Sequence, residues 1–221
     1  MPDQLIELRH DAHPRCWVLA VQWEDQTDGE PDWRVKNWFS DDRGATWSGP
    51  HLVARKRGWL LCEPSLLELP GGELVCFLRE NSDLGLDAFK CMSRNGRVTW
   101  EGPVTFPLPA CRRPVAGMLQ SGQVLITYRF SQGGRGCLRW WTQNFCAGLT
   151  DVRSCLAPDR QQAQTRIVRL DYDWGPVSDL GYFGWVQCPD GQIHVVNYVV
   201  DDAPKAHFCG YASREETLSV G

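Results

Sequence analysis

Arg79, Arg129 and Tyr198 fall in one column when the segments LPGGELVCFLR, LQSGQVLITYR and CPDGQIHVVNY are laid over one another. Glu63 precedes the first of them within the same segment, Cys62 to Asn81. These residue types can do chemistry together. An arginine offers a planar, permanently charged fork that pairs bidentately with a carboxylate, and a glutamate can take a proton from a phenol that otherwise loses it only near pH 10. The candidates are Glu63, Arg79 and Arg129, with Arg113 in CRRPV, Arg135 in FSQGGRG and Tyr182 in DLGYFGWVQ, while Tyr198 only shares the column.

Other chemistries are poorly supplied. No Cys, Asp or third His near His10 and His13 in HDAHP completes a known metal-ligand spacing, and no cofactor motif is present, so neither a metal nor a cofactor is expected. The ten cysteines are scattered without CxxC pairs, and Cys76, Cys188 and Cys209 sit inside apolar strand patterns; buried free thiols in a reducing compartment are the reading. A net charge of −4 with a pI near 5.7 gives no footprint for nucleic acid or an anionic membrane. No apolar run approaches the roughly 18 residues that span a bilayer, and the first residues lack the apolar core of a signal peptide. With Met1 as the start, the chain is expected in the cytoplasm.

The elements that must position these residues are short strands. Gly72, Gly122 and Gly191 form a second column, its second interval longer than its first (191 − 122 against 122 − 72). A repeat of about 50 residues built from strands is the pattern of a β-propeller, each repeat one four-stranded blade. The expectation is an all-β, single-domain chain over 1–221 with about four blades, at 1–50, 51–108, 109–176 and 177–221. GELVCFLRE is apolar on both faces, as befits a strand between neighbouring blades. A charged residue at the inner end of such a strand faces the central funnel. In the third blade FCAGLTDVRSCLAPDRQQAQ reads as an inserted loop that lengthens the repeat, and Trp140 and Trp141, in the strand CLRWWTQN, as core residues on opposite faces.

SDDRGATW, Ser40 to Trp47, matches S-x-D-x-G-x-T-W, and SRNGRVTW, Ser93 to Trp100, repeats it with Asn for Asp, at nearly the interval of the first two glycines (93 − 40 against 122 − 72). Asp42 can accept hydrogen bonds from turn amides, Gly44 can take a positive φ and Trp47 can pack back between strands. These hairpins are identified as Asp boxes. With them, the Cys62 to Asn81 and Asp179 to Tyr198 segments make the chain resemble the sialidase (neuraminidase) superfamily, which folds as a six-bladed propeller.

The resemblance implies an exo-sialidase-type glycoside hydrolase acting on terminal sialic acid, with an acidic glycan as partner. A catalytically silent propeller that binds an acidic glycan or a protein is the alternative. It assigns Tyr182 as nucleophile, Glu63 as the base that activates it, Arg79 as one clamp on the substrate carboxylate, and Arg135 or Arg129 as another; Arg113 is a further funnel candidate. A neutral phenol suits an anomeric carbon that itself bears a carboxylate, the tyrosine exception among glycosidases. The family's acid/base aspartate and the arginine of its R-I-P motif have no counterpart: Asp11, Asp25 and Asp28 lie in the wrong blade. Against six blades the chain reads as a C-terminal part or a shortened relative, with little hydrolysis of its own and with apolar blade faces left open.

Overall fold

The structure is a computed structural model and describes residues 2–10, 14–27, 30–82, 86–95, 97–132, 142–175, 178–201 and 203–219. Four antiparallel sheets follow one another along the chain. The first holds β1 (Pro2–Glu7), β2 (Trp17–Thr27), β3 (Glu30–Ser40) and β4 (Ser48–Arg55); the second β5 (Leu61–Glu68), β6 (Leu74–Glu80), β7 (Ala88–Ser93) and β8 (Glu101–Phe106). The third holds β9 (Cys111–Met118), β10 (Val124–Gln132), β11 (Thr142–Thr150) and β12 (Thr165–Tyr172); the fourth β13 (Leu180–Gln187), β14 (Ile193–Val199) and β15 (His207–Ser213). Each sheet is a blade, and the arrangement is that of a four-blade propeller. The helices among the described residues are α1 (Val152–Leu156) and α2 (Glu215–Ser219), with a 3-10 turn at Arg160–Gln162. None is long and apolar enough to cross a membrane.

The glycine column does the same job three times. Gly72, Gly122 and Gly191 have φ of +88°, +86° and +84°, a region costly for residues with a Cβ. Each closes the same turn: Gly72 N–H donates to Leu69 O at 2.9 Å, Gly122 to Leu119 O at 3.0 Å and Gly191 to Cys188 O at 2.9 Å. The turns deliver β6, β10 and β14 antiparallel to the inner strands β5, β9 and β13.

Packing runs from blade to blade, with β1 and β2 on β5, β5 and β6 on β9, and β9, β10 and β11 on β13. Strands between two neighbours are buried on both faces: β7 is buried throughout, and β6 at every residue but Arg79. In the fourth blade burial alternates along β13 and β14 because one face is open. Where blades meet, glycines receive large side chains. A Cβ on Gly117 would lie 2.6 Å from the Trp185 ring of the next blade, and one on Gly148 2.5 Å from Leu108. Trp185 Nε1–H also donates to Val115 O at 3.1 Å.

Three differences from the sequence reading stand out. β1 lies in a segment not read as a strand; its apolar residues are few and its partners are supplied by β2. FCAGLT belongs to β11, which pairs with β10 along its whole length, so the insertion starts only at Asp151. It carries α1, N-capped by the Asp151 carboxylate, which accepts from Ser154 N–H at 2.6 Å. β4 runs past the boundary expected at residue 50. Trp140 and Trp141 lie outside the described residues.

The two sequence-matched hairpins join β3 to β4 and β7 to β8, at the end of their blades opposite Glu63 and Arg79. Asp42 accepts from Ser40 Oγ at 2.7 Å, Thr46 N–H at 2.8 Å and Thr46 Oγ at 2.6 Å. These bonds, the Thr46 hydroxyl foremost, pull its pKa down to about 2. Asn95 accepts from Ser93 Oγ at 2.9 Å and Thr99 N–H at 3.2 Å. Trp100 packs toward the first blade and donates to Asn37 at 3.0 Å, whereas Trp47 stays 40% exposed, since no blade covers it on that side among the described residues. The nine described cysteines are all free thiols, seven of them buried.

Candidate functional site

Each inner strand of blades two to four breaks its register at the same place. The shift lies between Cys62 and Ser65 in β5, between Arg112 and Val115 in β9 and between Gly181 and Gly184 in β13. The bulged residue is left-handed each time: Glu63 with φ +45°, Arg113 with φ +54° and Tyr182 with φ +51°. Such φ values are rare for these side chains and mark strain held by the surrounding structure. A bulge re-aims a side chain away from the sheet alternation. Across the ladder, Arg79 pairs with Cys62, Arg129 with Arg112 and Tyr198 with Gly181. The funnel end thus carries two rows, Glu63, Arg113 and Tyr182 in one and Arg79, Arg129 and Tyr198 in the other, with the same offset in every blade (79 − 63, 129 − 113, 198 − 182).

The rows join into one polar cluster. Arg79 Nη1 donates to Glu63 Oε2 at 2.8 Å, and Arg79 Nη2 to Asn81 Oδ1 at 2.5 Å. Asn81 Oδ1 also accepts from Arg112 Nη1 at 2.6 Å, linking the second blade to the third. The Arg113 guanidinium lies 4.9 Å from the centre of the Tyr182 ring, within cation–π range. Tyr182 is 59% exposed and stacks on Tyr198 at 6.3 Å and 15°. The Tyr198 hydroxyl donates to Asp179 Oδ1 at 2.8 Å, and Arg129 Nη1 donates to Leu180 O at 2.7 Å and lies 3.9 Å from Asp179. Beside Arg113, a cleft of about 260 Å³ runs between the three inner strands, lined by Pro64, Ser65, Val115, Phe183 and Trp185 among others.

Electrostatics follow from this crowding. Burial works against the Arg79 charge, but the Glu63 carboxylate outweighs it and the pKa is raised. Arg129 is lowered, by burial first and then by the positive charge of Arg79. Tyr198 is pushed up to about 12, by burial first and then by its bond to Asp179, so it stays a neutral donor. Among the described residues the guanidiniums of Arg79, Arg112, Arg113 and Arg129 gather here with the carboxylates of Glu63 and Asp179.

Of the residues picked from the sequence, Glu63, Arg79, Arg113, Arg129 and Tyr182 come together at this end of the blades. Arg135 lies outside the described residues, as do Asp11 and Asp28. Asp25 is tied to Arg34 and Lys36 in the first blade. The expected hydrogen bond between Tyr182 and Glu63 is not made among the described residues: the glutamate is taken by Arg79, and the tyrosine ring lies between Arg113 and Tyr198. Asn81, Arg112, Asp179 and Tyr198 were missed as site residues. The constant offset between the two rows would have flagged Tyr198, while the other three are reached only through contacts between blades. No group of His, Cys, Asp and Glu that could hold a metal occurs among the described residues.

With this geometry in hand, the fold can be set beside known structures. A protein of unknown function from Dyadobacter fermentans superposes with a TM-score of 0.76 at 23% identity, over 94% of this chain and 51% of its own. The intramolecular trans-sialidase of Ruminococcus gnavus, solved with oseltamivir carboxylate, gives 0.66 at 16%, over 98% of this chain and 44% of its own. The chain folds as a sialidase-type β-propeller. An α-L-arabinanase of Penicillium chrysogenum complexed with arabinobiose gives 0.59 at 18%, over 88% of this chain and 60% of its own. The chain spans about half the length of the first two. At these identities the likeness is one of architecture, which hosts more than one sugar chemistry. No family model matches the sequence, and no curated protein does.

Proposed function

We propose that the funnel end of the blades binds the carboxylate of an acidic sugar, sialic acid foremost, as part of a sialidase-like glycoside hydrolase site. The observation that carries this is the gathering of the guanidiniums of Arg79, Arg112, Arg113 and Arg129 at one end of the blades beside an open cleft, where burial and then the Arg79 charge lower the Arg129 pKa. A bound carboxylate would relieve that repulsion and gain charge-assisted hydrogen bonds. The glycosidase neighbours support a sugar as ligand, and the cationic cluster favours an acidic one over neutral arabinose. In this reading Tyr182, exposed beside Arg113, is the group that meets the anomeric carbon. Hydrolysis also needs a proton donor for the leaving oxygen, a role general acids fill for roughly 10²–10⁴-fold. Asp179 is held by Tyr198, and no other aspartate joins the described cluster. Turnover by this chain is therefore expected to be low. Consistent with the free thiols, we place the protein in a reducing compartment such as the cytoplasm.

A second reading, a propeller that binds an acidic glycan without cleaving it, is favoured by one observation: Glu63 is bonded to Arg79 instead of Tyr182. Titration with sialic acid and with arabinose, followed by calorimetry, tests the shared part. Binding of sialic acid alone, weakened at least tenfold in Arg113→Ala, is expected; equal binding of both sugars would overturn it. An activated sialoside then separates the readings. Turnover above background that disappears in Tyr182→Phe identifies a hydrolase, and binding without turnover identifies the silent propeller.

A further inference from the structure

Arg79, Glu80 and Asn81 follow one another at the funnel end of blade two, where β6 stops. Of the two polar neighbours, the acid is turned away from the arginines. Glu80 is only 6% exposed, and its carboxylate accepts from Ser82 N–H at 2.8 Å and from Ser82 Oγ at 2.7 Å. The amide faces them instead: Asn81 Oδ1 accepts from Arg79 Nη2 at 2.5 Å and from Arg112 Nη1 at 2.6 Å. Guanidiniums from two neighbouring blades therefore end on one uncharged oxygen. Their bonded nitrogens lie within about 5 Å of each other, a separation at which like charges repel.

The main chain fixes where that oxygen stands. Asn81 N–H donates to Leu60 O at 2.9 Å, Ser131 N–H to Ala110 O at 3.2 Å and Val200 N–H to Asp179 O at 3.2 Å. This is one bond with one offset in three blades (81 − 60, 131 − 110, 200 − 179). Asn81, Ser131 and Val200 are thus equivalent positions, and of the three only Asn81 carries an amide. For stability alone an aspartate would suit the place better. It has the same shape and the same acceptor oxygen, and a hydrogen bond from a guanidinium to an ionised oxygen is roughly twice as strong as one to a neutral oxygen. It would also set a negative charge where arginines are to meet a ligand carboxylate. An asparagine joins the two arginines and leaves their charge in place.

We propose that Asn81 is a positioning residue of the anion site, its neutral oxygen setting Arg79 and Arg112 side by side across the junction of blades two and three so that their charge is presented to a ligand carboxylate. This role rests on the acidic-sugar reading above and is separable from it by experiment.

Calorimetric titration with sialic acid and thermal melts, on the wild type, Asn81→Asp and Asn81→Ala, read the outcome. Asn81→Asp is expected to melt no lower than the wild type and to bind sialic acid at least tenfold more weakly, since it keeps both hydrogen bonds and adds one like charge beside the ligand. Asn81→Ala releases the two guanidiniums from each other and is expected to bind at least threefold more weakly. Wild-type affinity in Asn81→Asp overturns the proposal, because a merely structural bridge is preserved by the isosteric carboxylate. A lowered melt in Asn81→Asp overturns it too, since the two guanidiniums would then not accept an ionised oxygen between them. Wild-type affinity in Asn81→Ala does so independently of how Asn81→Asp folds. When the wild type binds sialic acid, these outcomes strike the role of Asn81 alone; a wild type that binds none overturns the acidic-sugar reading and this role with it.

Discussion

Glu63 holds two positions at once, carboxylate on Arg79 and backbone at φ +45°, and both can be tested by substitution. Glu63→Gln removes one negative charge from the cluster; the expected result is sialic acid binding at least as tight as wild type, with a stability loss of about 1–3 kcal/mol from the broken, largely buried pair, read by urea denaturation. Lys90 gives a pH test far from the funnel. It is fully buried, and its ammonium donates to Ser154 O at 2.9 Å and Cys155 O at 2.6 Å, pinning α1 against blade two. Burial lowers its pKa from the usual lysine value to about 8. Between pH 8 and 10.5 the unfolded chain holds the proton and the folded one has lost it, so stability rises with pH in that window. Relative to Lys90→Met, the wild type is expected to gain on the order of 1–3 kcal/mol across it, measured by parallel melts of the two proteins. Nothing in the sequence announced Lys90, since it lies in a strand and its partners are carbonyls of an insertion in the next blade.

Strand, turn and blade repeat were legible because each is written locally: the glycine column fixes the turns, and the apolar run of β6 fixes a strand covered on both sides. Arg79 and Arg129 followed from that repeat, whereas Glu63, Arg113 and Tyr182 came from the family resemblance. What could not be read was pairing. Whether Glu63 meets Tyr182 or Arg79 depends on how blades lean on one another, and two side chains of similar reach compete for it. FCAGLT was lost to an insertion for a related reason: its residues suit either state, and the unbroken ladder with β10 decides. Glycine positions at the junctions give an element-level prediction. Gly117→Ala sets a Cβ 2.6 Å from the Trp185 ring and should cost about 1–3 kcal/mol. Gly210→Ala meets nothing within 4 Å and should change chemical denaturation of the monomer by no more than about 0.5 kcal/mol.

Across the whole molecule, the blades differ in how much of their surface is shared. Hydrogen exchange should follow this. Amides of β6, β7 and β10, enclosed by sheets on either side, are expected to exchange slowest, and those of β1 and β15 fastest; uniform protection over all four blades would contradict the packing. The repeated bulge has a consequence of its own. At residues 63, 113 and 182 the main chain alone decides where the side chain is aimed, so the sheet is indifferent to what is mounted there, as Glu, Arg and Tyr in turn demonstrate. Each of these three blades therefore offers a single interchangeable mounting point, and a lineage could trade one ligand for another by altering a codon per blade while the ladders beneath stay untouched.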